Sequence, residues 1–383
     1  MNGVTRECRT PRRTFSILAT LGLMAGVLAL VAPSTQASEP ATNGQIAFGR
    51  WNPELDDSQL FTINPDGTGE HMLLPNGAES PKWSPDGTKL AVTIDDIPGG
   101  PRTATVNPDG SGYNLLDPSF TLNLTCQAWS PDGDRLACAG FGANPTVTDG
   151  LYTIRASDGG DITQLTTYPD GTEDAQFTND IPLGYSADGT KILFHRNNDN
   201  DMGSLFVVNI DGTGLKQLSP EGLLVNSSQG DGWSPDGTQV AFAAFFKLSN
   251  GRGAGSALYV VDADGTDLHQ ITPSGLGSAR ARWSPDGQLI AFRSKGRADP
   301  QIWVVHPDGT GLRSLTSGTA DVSTAPVWSP DGTKLVFERN HWVMGQGQED
   351  LWTMNSDGSG LFQLTDTSSP SDEGGADWGT ASV

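Results

Sequence analysis

The sequence predicts an all-β chain: a seven-bladed β-propeller of four-stranded antiparallel blades, its ring closed by pairing of the C-terminal strand with the N-terminal strand. Three observations carry this. Trp-Ser-Pro-Asp-Gly recurs at Trp83, Trp129, Trp233, Trp283 and Trp328. Degenerate copies at Tyr185 and Trp378 leave successive motif aromatics roughly 45–56 residues apart, near the period of propeller blades. The composition, with Gly 48 and Pro 25 in 383 residues, 36% hydrophobic and 18% charged, suits many short strands joined by tight turns.

The first element is an export segment. Residues 1–14 are basic, 15–32 form an unbroken run of apolar and small residues, and Thr35-Gln36-Ala37 supplies small residues for cleavage. This is the order of a signal peptide, assigned to 1–37 with cleavage after Ala37. Arg12-Arg13-Thr14-Phe15 matches a twin-arginine export motif; an ordinary Sec signal with a basic start is the alternative. The only expected membrane contact is an uncleaved anchor formed by the apolar run. Residues 38–43 read as a short linker and 44–380 as a single propeller.

Each repeat then contains four short β-like runs. In the unit beginning at Arg282 these are Arg282-Trp283-Ser284 (run A), Leu289–Phe292 (B), Ile302–Val305 (C) and Leu312–Thr316 (D). Ser284-Pro285-Asp286-Gly287 joins A to B, and His306-Pro307-Asp308-Gly309 joins C to D. Proline fixes φ for the turn, Ser and Asp bond locally, and Gly accepts positive φ. Both are hairpin turns, so each unit is a meander. Every run type occurs seven times along the chain. The first run, at Gln45–Phe48, is of type B, and the last, at Ala376–Trp378, is of type A. Pairing these two completes one blade and removes the open edges of the array. Cys126 and Cys138 flank one such turn symmetrically. Export to an oxidising compartment favours a disulfide between them, against two buried thiols.

The repeat WSPDGTKLAV at Trp83–Val92, together with LYVVDADGTDLHQIT at Leu258–Thr272, resembles that of TolB-type propellers, also found in prolyl-oligopeptidase-like peptidases. The resemblance spans nearly all of 44–380 and implies the propeller fold. It departs from TolB in blade count, seven sets against six, and in lacking room for the small α/β domain that precedes the TolB propeller. No Gly-x-Ser-x-Gly nucleophile turn occurs in the sequence, which argues against a peptidase.

Function is expected where the repeat varies. One Trp per unit reads as packing between blades, and the repeated Asp-Gly pairs as turn chemistry. The A–B and C–D turns are uniform. The B–C and D–A loops vary, at 49–59, 95–102, 117–127, 167–183, 195–204, 219–231, 243–256 and 339–350, and they form the expected binding face. Arg50, Arg196, Arg293 and Arg339 follow the B-run Phe residues and could hold an anionic ligand; surface ion pairing is the alternative. His195 and His341 adjoin two of them and are the acid–base candidates. Asn197, Asp199 and Asp201 alternate as calcium ligands would, although Gly203 falls one place late and no twelfth-position Glu follows; a solvated polar loop is the other reading.

The formal net charge is −22, with 45 acidic and 23 basic residues, and nucleic acid is therefore not an expected partner. The acidic surface also points to a monomer. The leading expectation is an exported, non-catalytic binding or scaffold protein that recognises a protein, peptide or glycan. It would be periplasmic, cell-wall-associated or extracellular. No cofactor beyond calcium is expected. The alternative is a secreted enzyme, such as a lyase on acidic sugars, because oligogalacturonate lyases are seven-bladed propellers with similar repeats and an Arg/His rim suits uronate carboxylates.

Overall fold

The computed structural model describes residues 41–382 apart from 96–99, 117–122, 142–148, 168–179, 198–201, 227–231, 247–254, 295–298, 319–320, 344–345 and 368–371. The signal segment lies outside the described residues, as do Asp199, Asp201 and parts of most of the long loops. The described chain is all-β apart from one 3-10 turn at Ser274–Leu276. Its strands form antiparallel sheets in sequence order, five of them four-stranded and one nine-stranded among the described residues. The last strand, Glu373–Thr380, pairs with the first, Asn43–Asn52, and the two share a sheet with Asp57–Ile63 and His71–Leu74.

The turns form for the reasons their residues suggest. Ser284 Oγ donates to Asp286 at 2.6 Å, and the same carboxylate accepts the Gln288 amide at 3.0 Å. The Ser–Asp bond recurs at Ser84, Ser130, Ser186, Ser234 and Ser329. Gly287, at φ 69°, closes the turn in the left-handed region. Hydrogen bonds from Ser186 and Thr190 hold the Asp188 carboxyl down at about 2. These aspartates are engaged by their own turns.

Seven described strands carry the motif aromatic, and all but the first end on it: Glu373–Thr380, Ala78–Trp83, Asn123–Trp129, Asp180–Tyr185, Gly232–Trp233, Ser278–Trp283 and Asp321–Trp328. Each touches the next in this order, and Asp321–Trp328 touches Glu373–Thr380. The aromatics join neighbours. The indoles of Trp129, Trp233, Trp283 and Trp328 donate at 3.0–3.2 Å to the carbonyls of Lys82, Gly184, Gly232 and Arg282. Every acceptor directly precedes the aromatic of the preceding unit. Trp378 instead donates to Gly44 at 3.2 Å. Apolar clusters fill the spaces between sheets; one joins Ile46, Phe48 and Trp378 to Val336 and Leu351.

Most of the segments expected as loops contain some strand, and two of them change the ladder. Lys334–Val343 and Gln346–Asn355 pair across ten positions, so most of 339–350 is ladder. Leu223–Asn226 lies within the expected D–A loop 219–231. It pairs with Met202–Asn209 on one side and Gln239–Phe246 on the other, merging two units into the nine-stranded sheet. Its alternate residues Leu223 and Val225 are buried in a core cluster, which is what a half-buried strand requires. Cys126 and Cys138 face each other in register and are joined by a disulfide, Cα to Cα 3.8 Å.

Candidate functional site

The four arginines do not share one environment. Arg50, Arg196 and Arg339 stand two residues after Phe48, Phe194 and Phe337, on the same side of their strands as those rings. Arg50 Nε donates to Glu373 at 2.6 Å and its two terminal nitrogens to Glu70 at 2.8 Å each. Arg196 grips Asp180 with two bonds of 2.7 Å. Arg339 meets Asp321 at 2.5 Å. Each guanidinium also covers an aromatic ring, Phe61, Phe206 and Trp352 respectively, at 4.2–5.1 Å. These three are engaged by internal carboxylates, so they act as clamps between strands rather than as an open anion rim.

Arg293 follows Phe292 directly, so alternation sends it to the opposite side of its strand. Its register partner is Ala279, and its Nε is buried with no hydrogen-bond partner. Burial, and then the charge of Arg280, push its pKa down.

His195 and Arg196 likewise face opposite sides. His195 is 1% exposed and its Nε2 lies 3.2 Å from the Val225 carbonyl, under the unforeseen strand. It is therefore a core residue and not one half of a His/Arg pair. His341 lies in the Lys334–Val343 strand opposite Gln348 and Asp321. Asn197 is buried at a strand end. Among the described residues, no group of three or more His, Cys, Asp or Glu has metal-holding geometry.

The structure instead gathers charge where the motif strands bulge. Ser80, Arg280, Ala325 and Gly375 each lie three residues before their aromatic and take φ of 50–66°. The ladder slips beside each of them. Such bulges re-aim side chains. Those at Ser80 and Gly375 open onto a cavity of about 240 Å³ lined by Glu79, Glu338, Glu349, Asp372 and Glu373 with the backbone of Gly374 and Gly375. It sits on the B–C and D–A side, and it joins strands almost 300 residues apart in the chain.

The carboxylates in this mouth differ in how they are held. Glu373 is tied to Arg50 and Thr365. Glu338 accepts the Gly375 amide at 2.9 Å and lies 3.6 Å from Arg280. Among the described residues, the Glu349 carboxylate makes no hydrogen bond or ion pair, while its backbone bridges to Asp372. Burial, with repulsion from Glu338 and Asp372, raises its pKa to about 7. Burial and Asp95 also raise Glu79. The mouth is thus short of cations and complementary to a positively charged group.

A larger cavity, about 560 Å³, lies on the opposite face. Its Asp132 and Asp188 are used by their turns, and Tyr185 lines it where other units carry Trp.

The mouth was not foreseen, because its residues are scattered in sequence.

Residues 227–375 match the family model described as the TolB beta propeller domain. A dipeptidyl-peptidase 5 of Porphyromonas gingivalis is 30% identical over 302 residues, covering 74% of this chain and 41% of that protein. Matched regions cover 17%, 31% and 16% of the first curated relatives' own length. TolB from Acinetobacter baumannii superposes with TM-score 0.53 at 18% identity, covering 88% of this chain and 66% of that one. An oligogalacturonate lyase in complex with manganese gives TM-score 0.58 at 15% identity, covering 81% and 83%. At these identities the structural likeness is one of fold.

Proposed function

Starting from a chain built of TolB-type β-propeller repeats, we propose that it is an exported binding protein. In this reading seven blades close into a ring and present a carboxylate-lined mouth to a basic segment of a protein or peptide partner. The return of the motif-strand contacts to their starting strand supports the closed ring. The apolar run at 15–32 with its basic flank supports export. The observation that carries binding is the mouth itself: Glu349 half-buried without a partner beside Glu79, Glu338 and Asp372. Carboxylates held this close repel one another, and a ligand cation relieves that repulsion.

The test is capture by cross-linking from the native host, comparing the wild-type protein with a Glu349→Gln/Asp372→Asn variant. A partner held by the wild type and lost by the variant is the expected result. Glu349 titrates near pH 7, and a cation favours its ionised form. Capture is therefore expected to strengthen as pH rises through 7 and to weaken as pH falls below it. Equal capture by both proteins at pH 8 contradicts the reading.

A further inference from the structure

The repeat departs from its own pattern at one junction between units, and both departures line one cavity. Five units carry Trp-Ser-Pro-Asp-Gly, and one carries Tyr185-Ser186-Ala187-Asp188-Gly189. The two exchanged residues, Tyr185 and Ala187, both line the cavity of about 560 Å³ on the turn face. It lies between this unit and the preceding one, whose turns meet where Gly189 approaches the Pro131 ring.

At Trp129, Trp233, Trp283 and Trp328 the indole N–H is taken up by a carbonyl of the preceding unit. Tyr185 packs at its own junction with Ala128, yet among the described residues its buried hydroxyl has no hydrogen-bond partner. A buried donor left unmade is costly, and a ligand acceptor removes that cost. The hydroxyl feels the charges of Arg135 and Asp132, which line the same cavity, so it stands at this wall. Burial pushes its pKa up, which keeps it a neutral donor.

The lining selects the ligand. The volume is that of a small-molecule site. Asp132 and Asp188 are held ionised by the hydrogen bonds of their own turns, which disfavours an anion. Arg135, fixed by Asp161 at 2.6 Å and Thr153 at 3.0 Å, sits beside them and disfavours a cation. The Tyr185 ring, Pro131, Ala187 and the 46% exposed Ile210 supply flat and apolar surface.

We propose that this junction is a second binding site, for a small neutral aromatic molecule whose acceptor oxygen takes a hydrogen bond from the Tyr185 hydroxyl. The site is separate from the mouth, which lies on the opposite face, and does not depend on how the mouth is read.

The probes share one ring and differ in charge: indole-3-acetamide, indole-3-acetate and tryptamine, each titrated calorimetrically against the protein at neutral pH. The neutral amide is expected to bind about tenfold more tightly than either charged probe. Tyr185→Phe keeps the ring and removes the donor, and is expected to weaken the amide about fivefold, the loss of one neutral hydrogen bond. Tyr185→Trp/Ala187→Pro restores the motif that five units carry, and is expected to abolish binding while unfolding at or above the wild-type temperature. No binding of the amide to the wild type, equal or tighter binding of a charged probe, unchanged affinity in Tyr185→Phe, or retained affinity in the restored motif overturns the proposal. If the restored motif fails to fold, Tyr185→Phe alone decides it.

Discussion

A chain ending at Asp372 is expected to lose cooperative folding. The missing strand, Glu373–Thr380, is the partner of Asn43–Asn52, so its removal bares a long edge at the start of the repeat array. It also removes Trp378, 6% exposed, from the cluster with Ile46, Phe48, Val336 and Leu351. Emptying a buried Trp site alone costs about 3–5 kcal/mol, against a total stability of about 5–15 kcal/mol. Arg50 loses Glu373, and the Trp83 amide loses Asp377. Urea unfolding followed by tryptophan fluorescence should show a broad transition or none. A sharp transition near the full-length midpoint contradicts closure of the ring by this strand.

Arg196→Ala is expected to destabilise the protein by about 3–5 kcal/mol, the usual cost of stripping one partner from a buried ion pair. Asp180 is fully buried and accepts both Arg196 bonds at 2.7 Å, leaving Thr166 as its remaining described side-chain donor. The paired variant Arg196→Met/Asp180→Leu is expected to recover much of the loss, because apolar groups of similar volume need no partner. Chemical denaturation of the three variants measures both effects. A change below about 1 kcal/mol in Arg196→Ala would contradict the role of Arg196 as a stabilising clamp.

Much of the architecture was legible because its determinants are local. Ser-Pro-Asp-Gly makes its turn from its own hydroxyl, ring and carboxylate, and one aromatic per unit announces the contact between units. The arginines show the limit of such reading. Arg293 and Arg196 look alike as residues following Phe, but one step along a strand exchanges an internal clamp for the opposite face. Leu223–Asn226 read as loop, since four residues between Pro220 and a polar stretch carry little periodicity. The mouth was hidden more deeply. Glu79, Glu349 and Asp372 meet only because distant ends of the chain are brought together, and the left-handed backbone at Arg280 has no local sequence signature.

The central claim, that recognition occurs at the mouth on the loop face, is tested most directly by amide hydrogen exchange on the captured complex. Protection is predicted at residues 78–82 and 372–376, where the bulged strands border the mouth. Protection confined to the turns at 130–133 and 186–190, on the opposite face, would contradict it.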